Sequence, residues 1–307
     1  MTKAPLLSSL TIIVLLACGM TTVVRAAQTF DGERKQRVAV LDFGDTETGR
    51  RVADQFSAML SQEKHTTTVD RALSRAAARG VGYTGSLNMT LAGARDLGAA
   101  ISCDYFITGD AQTVRRSTSA TPVYYEAYAS IFAVSARTGK LVMWERPSAE
   151  AATPGEAEKS LLAGLNRQAA RARVAITRAE QDERIARERE RTTETIPIDD
   201  APEEGSPAAV NFRAPLPYRR LRPAYPETAA RAEAEATIDA AVEINAEGEV
   251  SRVEIVRWAG FGLDESVIET VRQLHFRPAT RDSVSFPVRV LLRYNFRRPT
   301  SDANQQQ

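Results

Sequence analysis

The stretch LDESVIETVRQLHFRPA at residues 263–279 decides the fold of the C-terminal part of the chain. Its apolar residues Leu263, Val267, Val271 and Leu274 recur every three or four positions, which is the spacing of one buried helix face. Two acidic residues follow Leu263, where they favour the positive end of a helix, and a proline limits how far the helix can run. The stretch therefore predicts a short amphipathic helix that stops before an aromatic-Arg-Pro sequence.

Strands are predicted on both sides of this helix. Residues 237–244 alternate between apolar and polar side chains, residues 250–258 resume the pattern after a loop with Gly248, and residues 286–296 alternate again. Because one face of each strand is apolar, each is predicted to be half buried. The order strand, strand, helix, strand indicates a small ββαβ domain over residues 218–298, followed by a disordered tail at 299–307.

These residues resemble the C-terminal domain of TonB-like energy transducers. The similarity rests on Pro223-Ala-Tyr225-Pro226 ahead of the first strand, on the Gly248 turn and above all on the quoted stretch. It covers about Leu216 to Arg298. The resemblance implies a periplasmic domain that captures a short extended segment of an outer-membrane receptor by adding it as a strand to the edge of its sheet.

The resemblance also implies which residues meet the partner. The final strand around Arg289, Leu291 and Arg293 would be the docking edge, since unpaired backbone groups supply affinity and alternate side chains supply selectivity. Tyr225 and Pro226, from the motif ahead of the first strand, are the other candidate partner-binding residues. Alternatively, the arginines are only charges that keep an exposed strand soluble.

Two connecting segments precede this domain. Residues 155–194 predict one long charged helix, because apolar residues recur at helical spacing through the first half and charged residues replace them afterwards. The first half should pack and the second half should stand in solvent. Prolines recur through residues 196–217, which predicts an extended linker.

Further outward, residues 37–148 predict an α/β domain. A buried strand at 37–43 is followed by a helix at 46–63 that Thr46 caps, and further strands and helices alternate after it. Residues 124–134 and 141–145 predict a β-hairpin. Strands that alternate with helices and then a hairpin indicate a mixed sheet covered by helices.

This domain is similar to the periplasmic α/β domain of CsgG-like curli-secretion lipoproteins. The segments that carry the resemblance are Val38–Phe43, Val69–Arg71, Leu97–Ala99, Asp104–Gly109 and Thr138–Lys140. Most of them are core and turn residues, so the resemblance concerns fold more than activity.

The first residues, 1–26, form a targeting segment, in which Lys3 precedes an uncharged run from Ala4 to Val24. Three fates are compatible with it: cleavage after Ala26, lipidation of Cys18 after cleavage before that residue, and retention as a membrane anchor. Each fate places the rest of the chain outside the inner membrane. The predicted location is the periplasm, with or without an anchor at the N-terminus or at a lipidated Cys18.

The composition narrows the function classes. The chain has 40 basic and 39 acidic side chains, and this balance disfavours nucleic acid as a partner. Two cysteines and two histidines, far apart in sequence, exclude a disulfide framework and the usual zinc ligand sets. No nucleophile motif or carboxylate pair is recognisable. We therefore expect no metal, no cofactor and no enzymatic activity.

The predicted fold class is α+β, with an N-terminal α/β mixed-sheet domain, a long charged helix and linker, and a C-terminal TonB-like ββαβ domain. The predicted function is binding of an outer-membrane or other envelope protein through an extended peptide, in energy-coupled transmembrane transport. Motor-type members use a membrane-embedded histidine to meet the ExbB and ExbD proteins, and residues 4–24 contain no histidine. The alternative function is a lipid-anchored structural or secretion-related assembly factor of the envelope, whose C-terminal domain mediates contacts in a homo-oligomer.

Overall fold

A mixed sheet forms the first domain of the structure, a computed structural model that describes residues 35–117, 123–192, 198–203 and 205–298. The elements of this domain are β1 (Gln36–Val40), α1 (Glu47–Ser61), β2 (Thr66–Thr68), α2 (Arg71–Gly80), β3 (Met89–Thr90), α3 (Leu91–Ile101), β4 (Tyr105–Arg116), β5 (Tyr124–Ser135), β6 (Leu141–Glu145) and β7 (Ser148–Ala151). The strand order is β2-β1-β4-β5-β6, and β7 also pairs with β5. Because β2, β1 and β4 are parallel whereas β5, β6 and β7 run antiparallel to their neighbours, the predicted mixed sheet is confirmed.

Side-chain caps set the starts of the first helices. The Thr46 hydroxyl accepts a hydrogen bond from the Gly49 N–H at 2.9 Å, and the Asp70 carboxylate accepts one from the Leu73 N–H at 2.9 Å. Helix α1 then packs on one face of the sheet, while α2 and α3 cover the other. The helix start that the sequence predicts at Thr46 agrees with the first of these caps.

Strand β4 is longer than the sequence pattern indicates. The alternation predicts a strand near residues 105–108, but β4 continues to Arg116. Its whole length pairs with β5, from Tyr105 opposite Ser135 to Arg116 opposite Tyr124. Backbone pairing therefore extends the strand beyond the part that lies in the apolar core.

Helix α4 (Pro154–Thr192) has a packed half and a solvated half. Its first half buries an apolar stripe against the same face of the sheet as α1; this stripe consists of Ala157, Leu161, Leu165, Ala169, Ala172 and Ile176. Beyond the stripe the side chains are mostly exposed, although Glu183 still contacts Arg137 of the first domain. The predicted division of this helix is confirmed.

The C-terminal domain has the predicted order of elements. These are β8 (Phe212–Arg213), β9 (Leu216–Pro217), α5 (Glu227–Ala232), β10 (Ala236–Ile244), β11 (Val250–Trp258), α6 (Leu263–Arg272), β12 (Phe276–Arg277), β13 (Thr280–Arg281), β14 (Val284–Ser285) and β15 (Val288–Phe296). Helix α6 packs on the apolar face of the β10, β11 and β15 strands. The sheet order is β15-β10-β11-β3, so the first domain supplies its fourth strand. From Lys35 onward the chain belongs to one compact unit.

The segment predicted as an extended linker lies along the C-terminal domain. Strand β8 pairs with β13, β9 pairs with β12, and Asp200 forms a bridge with Arg289 in β15. Part of the backbone of this proline-containing segment is thus paired with other strands of the same chain, so the segment is not a free linker over these residues. The targeting segment with Cys18 and the predicted tail at 299–307 lie outside the described residues.

Candidate partner-binding site

The C-terminal sheet has two edges with different surroundings. We call the β11 side the inner edge, because it faces the first domain, and the β15 side the outer edge. At the inner edge, β3 pairs with Arg257 and Trp258 at the end of β11. The rest of β11 faces a cleft of about 550 Å³ whose other wall includes β6. A guest strand at the inner edge would therefore have to enter between the two domains.

An aromatic contact fixes the inner edge. The Trp258 ring is 2% exposed and stacks on Phe132 with the ring centroids 6.0 Å apart. Its indole N–H donates a hydrogen bond to the Gly139 carbonyl at 2.9 Å. The Asn88 amide donates to the carbonyls of Thr237 and Trp258, both at 2.8 Å. These contacts join the two domains through buried apolar surface and satisfied polar groups.

A tight loop follows Trp258. Gly260 has φ +72°, and a Cβ there would lie 2.6 Å from the Phe132 ring. The Asp264 carboxylate accepts hydrogen bonds from the backbone N–H groups of Ala259 and Gly260, at 3.0 and 2.7 Å. Burial nevertheless raises the pKa of Asp264 to about 6, because desolvation disfavours its charged form. This carboxyl group therefore holds the loop that carries the inner-edge contacts.

At the outer edge, one residue of β15, Arg289, is already paired with the backbone of another segment of the chain. The Arg289 N–H donates to the Asp199 carbonyl at 2.9 Å, and the Arg289 carbonyl accepts from the Ala201 N–H at 2.8 Å. Since backbone direction alternates along a strand and β15 pairs with β10 without a register shift, the N–H and C=O groups of Leu291 and Arg293 point the same way as those of Arg289. Within the part of the chain that the structure describes, these groups have no backbone partner.

The side chains of the predicted docking arginines contact carboxylates of β10. Arg293 donates from Nε to Asp239 at 2.7 Å, and Arg289 donates from Nη2 to Glu243 at 2.8 Å. The Arg293 guanidinium, with Arg257 on the other side, holds the pKa of Asp239 below its usual range. The structure thus places Arg289 and Arg293 in cross-strand ion pairs, as the alternative interpretation of their charges expects, while their backbone edge faces outward.

Leu291 differs from its neighbours because it is apolar and exposed. Its side chain is 57% exposed, on the same face of β15 as the two arginines. Nothing in the apolar core requires a leucine at this position. The roles of Arg289, Leu291 and Arg293 in partner binding remain predictions.

A groove of about 420 Å³ lies beside β15 on the helix side of the sheet. Its floor is apolar and includes Leu221, Leu274, Phe276, Leu292 and Tyr294. Its rim is basic and includes Arg219, Arg220, Arg222 and Arg293. The first three of these arginines are exposed and have no ion pair with any described residue. The groove therefore combines an apolar floor with three arginines that have no ion pair among the described residues.

The other two predicted site residues have structural contacts. The Tyr225 hydroxyl donates to the Ala234 carbonyl at 2.8 Å, and its ring packs 6.3 Å from that of Phe296. Pro226 is the residue before helix α5. Both residues close one end of the C-terminal core, so the structure does not bring them to the open part of the outer edge. Their role in partner binding also remains a prediction.

Sequence reasoning missed three parts of this site. Asn88 and β3 belong to another domain, and no local pattern could assign them to this sheet. The prolines around residues 198–201 predict only a linker there, although Ile198 followed by two aspartates was the available signal for a paired segment. The arginines at 219, 220 and 222 formed a visible cluster whose position beside β15 only the fold reveals.

The thiol of Cys103 lies outside this site. Cys103 is a free cysteine, half buried two residues after α3, and its thiol lies 3.8 Å from the Gly98 carbonyl. Burial raises its pKa to about 12, so the nucleophilic thiolate is scarce at neutral pH. Over the described ranges no cluster of side chains could hold a metal ion, and no helix is long and apolar enough to cross a membrane.

Residues 222–297 match the protein family described as Gram-negative bacterial TonB protein C-terminal. The matched residues contain α5, the β10–β11 hairpin, α6 and β15 in the order expected from the sequence. They are a TonB C-terminal domain, and the resemblance inferred from the quoted motif is confirmed. A comparison with curated protein sequences gives no match.

Three solved structures are similar to parts of the chain. The TonB C-terminal domain of Pseudomonas aeruginosa is 15% identical, and the similarity covers 29% of this chain and 89% of that one at a TM-score of 0.25. The lipoprotein GNA1162 of Neisseria meningitidis is 12% identical over 44% of this chain and 99% of that one, at 0.31. The PelC dodecamer subunit of Paraburkholderia phytofirmans is 9% identical over 43% and 87%, at 0.28. At these TM-scores the similarities carry no argument, and the CsgG-like resemblance of the first domain stays a prediction.

Proposed function

We propose that this protein binds an envelope or outer-membrane protein by adding an extended segment of that partner to the outer edge of the C-terminal sheet. The observation that carries the proposal is the open part of β15. From Leu291 onward, the backbone N–H and C=O groups of every second residue point away from β10, and those of Leu291 and Arg293 lack a backbone partner among the described residues. A guest strand would satisfy these groups, which is the source of affinity in β-augmentation.

The contrast between the two edges supports the same assignment. The inner edge is fixed by Trp258, Asn88 and β3, all of which connect it to the first domain. The outer edge has no comparable apolar closure among the described residues. A partner strand can therefore reach β15 without separating the two domains.

In this proposal the protein acts in the periplasm as a binding protein, without a catalytic step, metal or cofactor. An anchor at the N-terminus or at a lipidated Cys18 would hold it at a membrane. Energy-coupled transport would require a motor partner in addition. Because residues 4–24 contain no histidine of the kind that motor-type members use, strand capture itself is the function that we propose.

A proline at Leu291 tests the proposal in the full chain. Leu291→Pro replaces an outward-pointing N–H by the proline ring, which removes a hydrogen bond and also obstructs a guest strand at this position. The pairing of β15 with β10 stays intact, since edge strands tolerate proline where the N–H faces outward. A photoreactive residue at Asn295, which is exposed on the same strand, should form an adduct with an envelope protein in cells. We expect Leu291→Pro to abolish this adduct.

Two controls accompany this experiment. Leu291→Thr keeps the backbone N–H and should retain the adduct, which separates the backbone from the side chain. A photoreactive residue at Val284, 67% exposed in another strand, should not form the same adduct. If the adduct persists in Leu291→Pro while the variant is folded, capture at the outer edge is wrong.

A further inference from the structure

The chain already carries a segment that occupies the start of the outer edge. We call residues 198–201 the internal segment. It runs parallel to β15, and Asp200 is the residue directly opposite Arg289. Paired residues of neighbouring strands place their side chains on the same face, so the Asp200 carboxylate lies on the face of Arg289. The charge of Asp200 accordingly contributes to the raised pKa of Arg289, after the larger effect of its hydrogen bond to Glu243.

The internal segment holds its place through a small number of contacts. Two backbone hydrogen bonds, both to Arg289, connect it to β15. Each such bond biases an equilibrium by roughly a factor of five, because the free partners bond to water instead. A longer strand that also pairs with Leu291 and Arg293 makes more bonds of the same kind and can replace the internal segment.

The charges beside the edge indicate what such a strand carries. One face of a guest strand would point into the groove, where the floor is apolar and Arg219, Arg220 and Arg222 stand at the rim without ion partners among the described residues. The other face would lie beside Arg289, where Asp200 now lies. Carboxylates complement both surroundings, and apolar side chains complement the floor.

We propose that the partner segment is an acidic strand with alternating apolar residues, and that it binds by displacing the internal segment from Arg289. This inference rests on the proposed function and adds the chemistry of the partner and a built-in competitor. The internal segment thereby sets a threshold: short or neutral strands do not displace it, whereas a longer acidic strand does.

Ala201→Pro tests the competitor directly. It removes the N–H that bonds to the Arg289 carbonyl and leaves β15 unchanged. The matched control is Ala208→Pro, an exposed alanine outside the internal segment whose N–H makes no backbone hydrogen bond to a described residue. The probe is a fluorescent synthetic peptide of alternating valine and aspartate that ends in a pair of aspartates, so that carboxylates lie on both faces of the extended strand. Its dissociation constant is measured by anisotropy with the full chain.

We expect Ala201→Pro to bind this peptide about five times more tightly than the unchanged chain or Ala208→Pro, since one competing hydrogen bond is lost. A second peptide with asparagine in place of aspartate should bind more weakly, and high salt should reduce the difference. Replacing Arg219 and Arg220 together by glutamine should weaken the binding of the acidic peptide by about three-fold and leave the binding of the asparagine peptide unchanged.

The outcomes separate this inference from the proposed function. If Ala201→Pro binds no more tightly than Ala208→Pro, the internal segment is not a competitor. If the two peptides bind equally, the acidic preference is wrong, while strand addition stands as long as Leu291→Pro abolishes both. If acidic peptide binding survives Leu291→Pro, the peptide is not added to β15 and the proposed function fails at this edge.

Discussion

The two edges of the C-terminal sheet differ in how their backbone N–H and C=O groups are paired or covered. At the inner edge, β3, the Asn88 amide and the buried Trp258 ring close the end of β11. At the outer edge, two backbone hydrogen bonds from the internal segment occupy Arg289, and the strand beyond it is open among the described residues. The inner edge is closed by apolar burial, whereas the outer edge is occupied only by bonds that water or another strand can replace.

This difference shows how one small sheet can be attached to the first domain at one edge and remain accessible to a guest strand at the other. Apolar burial is expensive to reverse, because each large aromatic side chain contributes several kcal/mol when it leaves water. Exposed backbone hydrogen bonds contribute only about 1 kcal/mol net each. A guest strand can therefore compete for the outer edge while the inner edge keeps the two domains together.

The inner edge can be broken most severely at Trp258. Trp258→Ala removes the stack on Phe132 and the hydrogen bond to Gly139, and it leaves a cavity between the domains. We expect a loss of about 3–5 kcal/mol in the free energy of unfolding. Urea unfolding followed by far-UV circular dichroism measures this loss.

Tyr218→Ala is the matched control. Because the Tyr218 side chain is 67% exposed, its removal should change the free energy of unfolding little. Under native conditions Trp258→Ala should still give the adduct from position 295, since the outer edge does not depend on this ring. A loss below about 1 kcal/mol for Trp258→Ala would show that the aromatic contact does not close the inner edge.

The pH dependence of stability sharpens the comparison, because Asp264 belongs to the inner edge alone. Its folded-state pKa of about 6 lies above the ordinary aspartate value of 3.8, so the folded state retains the proton to a higher pH than the unfolded state. The protonated Asp264 side chain therefore makes its full contribution to the free energy of unfolding below about pH 4, and this contribution is lost as the pH rises through 6. The shift corresponds to roughly 3 kcal/mol.

Asp264→Asn lacks this titration. Relative to the unchanged chain, the variant should gain stability by roughly 3 kcal/mol as the pH is raised from 4 to 7, measured by urea unfolding at several pH values. Glu269→Gln is the control, because it changes the charge of the same helix at an exposed position. Parallel pH curves for Asp264→Asn and the unchanged chain would contradict the burial of this carboxyl group.

The smallest of these effects is expected at Gly260. Gly260→Ala introduces a Cβ at 2.6 Å from the Phe132 ring, at a φ of +72°. Gly205→Ala is matched in backbone strain, with φ +81°, but its Cβ would meet nothing within 4 Å. The difference between the two losses of stability isolates the contact between the domains, and we expect it to be about 2 kcal/mol. Equal losses would mean that only the backbone conformation matters at Gly260.

The sequence predicted those parts of the fold whose signal is local. Periodicity identified helix α6, its flanking strands and the packed half of α4, because burial on one face leaves a repeat in the sequence. The outer edge was also predictable, since a final alternating strand in a ββαβ order ends a sheet. The arginines at 289 and 293 could be placed on one face, but not paired with Asp239 and Glu243.

The missed features depend on contacts between distant residues. Strand β3 has two residues and pairs with β11 across about 170 positions of the chain, so no periodic signal marks it. The internal segment was predicted only as linker, because its strand pairing depends on where β15 lies and not on its own composition. In both cases the backbone bonds to a partner that sequence patterns do not specify.

Strand β3 runs directly into helix α3, and this junction has a mechanical consequence. Tension applied along β15 by a bound partner would load the bonds between β15 and β10, and then those between β10 and β11, in shear, so that many must rupture together. The load then enters the main chain of the first domain at Met89–Thr90. Both domains would then move together under such a force, because the described residues from Lys35 onward belong to one compact unit.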